Sequence, residues 1–149
     1  MKNQIWVIVL LVFSAPALAT QTAPLKEPVE VELKCSFTQD EMREVIKNAG
    51  ALRGWKVIDE EPGRTKVRYI KGNNKHILTL YVYFSDHAFR VRYDSSEGLQ
   101  YYVVEEGSKS KQLQIAGQRR INSHGNMWMK NLSEDIRKAT RNICRQSKP

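Results

Sequence analysis

Three consecutive segments in which apolar and polar residues alternate constrain the fold of this chain more than any other feature. They cover residues 64–70, 76–84 and 88–93, and two groups of turn-forming residues separate them, Gly72-Asn73-Asn74 and Ser85-Asp86. A two-residue period places the apolar side chains on one face of a strand. Because the connections are short, neighbouring strands must run antiparallel. The pattern therefore predicts a sheet with one buried face and one exposed face.

Two amphipathic segments flank these strands and predict helices. In the first, Thr38 and Glu41 have the spacing of a capping box, and Gly54 provides a left-handed stop. Its apolar face consists of Met42, Val45, Ile46, Ala49 and Leu52. The second helix runs from about residue 123 to 145, and its inward stripe consists of Trp128, Leu132, Ile136, Ala139 and Ile143. Together these elements predict an α+β fold, in which an antiparallel sheet of four to five strands has an N-terminal and a C-terminal helix packed on one face.

Residues 1–19 have the features of a cleavable secretory signal peptide. Lys2 precedes an unbroken apolar segment at residues 5–13, and Ala17-Leu18-Ala19 matches the small-residue pattern that signal peptidase accepts. The apolar segment is shorter than the roughly 20 residues that a membrane-spanning helix needs. We therefore predict cleavage near Ala19-Thr20 and a mature protein that is periplasmic or secreted and has no transmembrane anchor.

The rest of the 149-residue chain is predicted to form one domain. Residues 20–28 contain two prolines and few groups to bury, so they predict a flexible leader. A single α+β domain is expected over residues 29–146. Within it, residues 105–118 are polar and contain Gly and Ser, and they predict an excursion from the domain.

The two cysteines, Cys35 and Cys144, both lie in the predicted mature part. Export to an oxidising compartment favours a disulfide between them. In the chain-entropy model, closing a loop of about 110 residues stabilises the folded protein by roughly 4–5 kcal/mol. Neither cysteine has a neighbouring Cys or His at metal-ligand spacing, so the sequence predicts no metal site, and it predicts no cofactor.

The chain is basic, with 24 Lys+Arg against 16 Asp+Glu. If the helices cover the Leu78 side of the sheet, the outer face carries Lys66, Arg68, Tyr81, Tyr83, Arg90 and Arg92. Aromatic rings flanked by cations suit an anionic ligand with flat or sugar-like parts. The alternative is an ordinary solvated sheet face. As partner we expect an anionic component or a protein of the cell envelope, rather than nucleic acid.

Two further groups of residues are weaker candidates. A basic stripe on the last helix could meet anionic groups or could simply complement the helix dipole; it consists of Lys130, Arg137, Arg141, Arg145 and Lys148. The chain also contains His76, His87 and His124, and His87 follows Ser85-Asp86 in a turn. No recognisable catalytic motif surrounds them, so we assign no catalytic residue. The leading prediction is a non-catalytic binding or adaptor domain, and the alternative is a small basic secreted hydrolase, nuclease-like, that uses histidines.

The order of several short motifs resembles a family of small exported proteins and lipoproteins of Gram-negative bacteria whose function is not established. The motifs are Arg53-Gly54-Trp55, Pro62-Gly63, His76, Ser85, Arg92-Tyr93-Asp94-Ser95, Leu99, Tyr101 and Trp128-Met129-x-Asn131-Leu132-x-x-Asp135-Ile136. The resemblance spans roughly residues 38–140. Family members usually carry a lipid-anchor cysteine, which this chain replaces with a peptidase-type signal, and residues 105–118 look like an insertion. The resemblance implies an exported α+β domain and adds no chemistry.

Overall fold

The computed structural model describes residues 21–107 and 115–147. In chain order, the elements are β1 Thr22–Pro24, β2 Val31–Glu32, α1 Gln39–Ala51, β3 Lys56–Glu61, β4 Arg64–Lys71, β5 His76–Phe84, β6 Ala88–Glu97, β7 Tyr102–Val103, β8 Arg119–Asn122 and α2 Ser123–Gln146. The predicted signal peptide and residues 108–114 of the predicted excursion lie outside the described residues.

The predicted α+β fold is confirmed. Five antiparallel strands form the main sheet in the order β2-β6-β5-β4-β3, and a smaller sheet has the order β1-β8-β7. The long strands β4, β5 and β6 are the three alternating segments of the sequence, and β5 lies between the other two. Their pairing begins opposite the turn at residues 72–75, where Lys71 is the partner of His76. Asn73 and Asn74 adopt positive φ angles there, which asparagine tolerates better than most residues.

One hydrophobic core joins the inner face of the main sheet to both helices. Leu78, Leu80 and Val82 of β5 are fully buried. The helices contribute fully buried side chains to the same cluster, namely Met42, Ile46, Met129, Leu132 and Ile136. Both helices therefore cover one face of the sheet, and the other face is left to solvent.

Two residues assigned to the inward helix faces are exposed instead. Leu52 is 84% exposed, because the chain reverses direction there. The reversal is fixed by hydrogen bonds from Gly54 N to Ala51 O and from Trp55 N to Gly50 O, the pattern that ends a helix at a left-handed glycine. Ile143 is 39% exposed, because the buried stripe of α2 continues in four-residue steps from Ile136 to Thr140 and Cys144.

The predicted disulfide is confirmed. Cys35 and Cys144 are bonded, and their Cα atoms lie 5.6 Å apart. The bond connects the segment that precedes α1 to the last turns of α2. It therefore holds the two helices in one covalent ring of more than a hundred residues, and such a bond mainly destabilises the unfolded chain.

The structure describes residues 21–28 of the predicted flexible leader, residues 20–28, and part of this segment is paired in a strand. Residues 22–24 form β1 and pair antiparallel with residues 120–122 of β8. Leu25 continues this pairing, since its N–H donates to the carbonyl of Arg119 at 2.7 Å. The prolines did not prevent pairing because Pro24 lies at the end of an edge strand, where a missing N–H does little harm.

The start of α1 provides a stability test. Thr38 Oγ1 accepts a hydrogen bond from Glu41 N at 3.2 Å, and Glu41 Oε2 accepts one from Thr38 N at 2.7 Å. Thr38→Ala removes the acceptor for the Glu41 N–H, so it should lower the free energy of unfolding by about 0.5–2 kcal/mol. Thr38→Ser keeps the hydroxyl and should stay close to wild type. Urea denaturation measures both, and equal stability of all three proteins would contradict this account of the cap.

Candidate functional site

The six predicted ligand residues all come from β4, β5 and β6 and lie on the outer face of the main sheet. Strand register aligns them in rows that run across the three strands. From one end to the other, the rows are Arg64–Tyr83–Arg90, Lys66–Tyr81–Arg92 and Arg68–Thr79–Ser95. The two-residue period of the strands thus brings the predicted residues together on one surface, which we call the basic face.

The tyrosine rings of the basic face are already in contact with cations of the chain itself. Arg64 Cζ lies 4.6 Å and Lys66 Nζ 4.8 Å from the centroid of the Tyr81 ring. Arg90 Cζ lies 5.3 Å from the centroid of the Tyr83 ring. These are cation–π distances. The rings therefore hold the cations in place, and a ligand would have to displace them in order to stack on the same ring faces.

Nearby carboxylates neutralise part of the positive charge. Lys66 Nζ lies 3.3 Å from a carboxylate oxygen of Asp94. Asp94 is the extra residue of a bulge in β6, where the register with β5 shifts. Hydrogen bonds with Tyr81 and then with Asp94 raise the pKa of Lys66 above its ordinary value. Arg64 forms an ion pair with Glu61 across the β3–β4 turn. Lys66 and Arg64 are therefore firmly cationic, but each is already paired.

Arg92 forms an ion pair with Glu27, a residue of the predicted leader, and the sequence analysis did not identify this residue. The carboxylate of Glu27 lies 3.5 Å from Arg92 and 3.3 Å from Arg119. It also accepts a hydrogen bond from the backbone N–H of Tyr93 at 2.9 Å. The side chain of Glu27 is only 17% exposed. No local pattern marked Glu27, because its partners are more than sixty residues away in the chain.

Arg68 and Arg90 differ from their neighbours on the basic face. Among the described residues neither forms an ion pair with a carboxylate; Arg68 reaches only Thr79 Oγ1, at 3.4 Å, and Arg90 lies over Tyr83. Both are exposed. They occupy opposite corners of the three rows, and standard strand spacings separate their backbones by about 16 Å. These two guanidinium groups are the cations of the basic face most available to a ligand.

The predicted basic stripe of α2 lies beside a groove that contains both acidic and basic residues. This groove of about 420 Å³ runs between α2 and residues 28–34. Acidic and basic residues line it together, among them Glu30, Glu32, Glu134, Lys130, Arg137 and Arg141. Arg137 is also paired with Glu134, and Lys148 lies outside the described residues. Mixed charge makes this groove a poorer match for an anion than the basic face.

The structure brings two of the three histidines together. His76 and His124 line one cleft of about 190 Å³, whose other lining residues are Lys71, Leu99, Asn122 and Trp128. Sequence reasoning did not place Lys71 there, although the turn at residues 72–75 fixes it opposite His76. His87 lies apart, in the β5–β6 turn, where Nε2 is 3.2 Å from Asp86. The Ser85-Asp86-His87 sequence thus serves as a turn.

Comparison of the chain with protein-family models, curated proteins and solved structures finds no match. The resemblance to exported proteins and lipoproteins therefore stays a prediction. Among the described residues, no helix is long and apolar enough to cross a membrane. The same part of the chain contains no group of three or more His, Cys, Asp and Glu residues that could hold a metal ion.

The contacts of Glu27 predict a measurable contribution to stability. Glu27→Ala leaves the N–H of Tyr93 without its acceptor and Arg92 without its carboxylate, so it should lower the free energy of unfolding by about 1–3 kcal/mol. Glu30→Ala removes the same charge from an exposed position and should change stability by less than about 0.5 kcal/mol. Chemical denaturation of both variants measures the difference. Equal effects would show that Glu27 does not hold the N-terminal segment on β6.

Proposed function

We propose that the mature chain is an exported, non-catalytic binding domain of the cell envelope, which recognises an anionic ligand through the basic face. The observation that carries this proposal is the pair Arg68 and Arg90, two exposed guanidinium groups on one sheet face without carboxylate partners among the described residues. Export rests on the signal-like residues 1–19, and the disulfide is compatible with it. The formal net charge of +8, to which the predicted signal peptide contributes only Lys2, favours an anionic partner.

The spacing of these guanidinium groups favours an extended ligand. The two backbones lie about 16 Å apart, so a single phosphate or carboxylate could meet both arginines only by drawing Arg68 away from Thr79 and Arg90 away from the Tyr83 ring. A sheet face is also open rather than enclosed, whereas small-molecule sites are concave. A surface or chain with repeated anionic groups, such as an acidic glycan or an anionic lipid layer, can contact both arginines at once.

The proposal predicts a specific loss of binding. Replacing Arg68 and Arg90 together with Gln should weaken binding to phosphatidylglycerol vesicles by about thirtyfold, which corresponds to roughly five- to sixfold, or about 1 kcal/mol, for each arginine near an anionic surface. Binding of the wild-type protein should also fall as salt rises, because exposed charges are screened. Cosedimentation with the vesicles over a salt series measures both effects, and retention on immobilised heparin repeats the test with an anionic glycan.

A control variant of the same net charge locates the binding surface. Arg141→Gln with Arg145→Gln also removes two positive charges, but from α2 rather than from the basic face. It should bind as the wild-type protein does, apart from a small general effect of net charge. Equal loss of vesicle binding in both double variants would show that binding depends only on net charge. Loss of binding in the α2 variant alone would place the site on the helix. Either result would contradict the proposal.

A hydrolase is the second candidate function, and the observation in its favour is that His76 and His124 share a cleft. Paired imidazoles can act as general base and general acid at a phosphodiester or an ester. The candidate requires turnover that disappears with either histidine. Nuclease and esterase assays of the wild-type protein, of His76→Asn and of His124→Asn test it, since a non-catalytic domain should show no activity that depends on these residues.

A further inference from the structure

The cleft that contains His76 and His124 lies on the helix side of the main sheet, away from the basic face. Lys71 and His76 are cross-strand partners at the end of the β4–β5 hairpin, and Lys71 follows the inner-face residues Val67 and Tyr69 at two-residue spacing. His124 is the second residue of α2. Trp128 forms a wall, with Lys71 Nζ 5.8 Å and the His124 ring 6.3 Å from its ring centroid.

The hydrogen bond of His76 fixes which ring nitrogen carries the proton. Nδ1 of His76 lies 2.9 Å from the carbonyl oxygen of Gly98. A carbonyl can only accept, so Nδ1 carries the hydrogen and Nε2 is left with a lone pair in the neutral ring. The contact depends on close packing of two backbones, because a Cβ at Gly98 would lie 1.8 Å from the carbonyl oxygen of Lys75.

The same reasoning applies to His124. Asn122 Oδ1 accepts a hydrogen bond from the backbone N–H of His124 at 3.0 Å, so this atom is an acceptor. The same oxygen lies 2.9 Å from Nδ1 of His124, which must therefore donate to it. Among the described residues, no hydrogen bond reaches Nε2 of either ring. Each histidine is thus oriented through Nδ1 and has an unused Nε2.

The charges around the cleft are of one sign. Its titratable lining residues are Lys71 from β4, His76 from β5 and His124 from α2, and the contributions from Leu99, Asn122 and Trp128 do not titrate. No carboxylate is among the described lining residues. Protonation of both imidazoles would therefore place two Nε2–H donors and an ammonium group around one small volume. The N-terminus of α2 adds to the positive potential.

We infer that this cleft binds the phosphate group of a free phosphate ion or of a phosphate ester, and that binding strengthens as His76 and His124 become protonated. The three donors come from three separate elements, and each can donate to a different oxygen of the ligand. A phosphate group, which has more oxygens than a carboxylate, is therefore the better match. A protonated imidazole is a cation with two N–H donors, so occupancy should rise as the pH falls. This site is independent of the basic face.

Titration calorimetry with inorganic phosphate tests the inference, with sulfate as a probe whose charge stays constant over the pH range. The mature protein should bind sulfate about tenfold more tightly near pH 5.5 than near pH 8. Phosphate should also bind more tightly at the lower pH, although it carries less negative charge there. Comparing inorganic phosphate with glycerol 3-phosphate separates the two sources, because tighter binding of the ester indicates a phosphate carried on a larger molecule.

Asparagine variants remove Nε2 and keep a donor close to the position of Nδ1. His76→Asn and His124→Asn should each weaken binding near pH 5.5 about tenfold and flatten the pH dependence. Lys71→Gln should weaken binding at both pH values. If His76→Asn fails to fold, His124→Asn and Lys71→Gln, which change exposed residues, still test the site.

Two controls separate this site from general charge effects. His87→Asn changes an exposed histidine outside the cleft and should bind as the wild-type protein does. The Arg68→Gln and Arg90→Gln double variant should also keep phosphate binding, so failure here is distinguishable from failure of the basic face. The inference is overturned if neither phosphate nor sulfate binds saturably near pH 5.5, or if His87→Asn changes binding as much as the cleft variants do.

Discussion

Pairing of β5 on both of its edges is the constraint on which the rest of this structure depends. Because β4 and β6 occupy the two edges, each side chain of β5 must lie on one sheet face or the other. Leu78, Leu80 and Val82 form the floor on which both helices pack. The intervening residues lie outside among the cations of β4 and β6, and even Thr79 is buried there beside Arg68. One alternation therefore determines both the core and the basic face.

The basic face is largely neutralised from within. Asp94, Glu61 and Glu27 pair with three of its cations. An ion pair on a protein surface contributes little to stability, yet it lowers the local potential that an incoming anion meets. Arg68 and Arg90 have no carboxylate partner among the described residues, so specificity on this face should depend on them rather than on its total charge.

The sequence predicted those features that follow from short-range patterns. Alternation and a short turn predicted the antiparallel arrangement of β4 and β5, and the spacing of Thr38 and Glu41 predicted the start of α1. The disulfide between Cys35 and Cys144 was predicted from the number of cysteines and from export, but other features that depend on distant pairing were missed. Glu27 gains its role only when residues 21–28 lie along β8 and β6, and Lys71 joins the two histidines only after α2 packs on the sheet. Ile143 was predicted to face the core because it fits the helical spacing of the apolar residues before it. In the structure the neighbouring Cys144, which is bonded to Cys35, occupies the buried position instead.

Amide chemical-shift mapping of the mature, isotope-labelled protein during titration with a heparin oligosaccharide tests the central claim most directly. If the basic face binds extended anions, the shift changes at low salt should concentrate on the strands that carry Arg68 and Arg90, including the intervening residues of β5 around Tyr81. They should disappear as salt is added. Changes confined to α2 around Arg141, or changes that salt leaves unaltered, would contradict the assignment of the basic face as the binding surface.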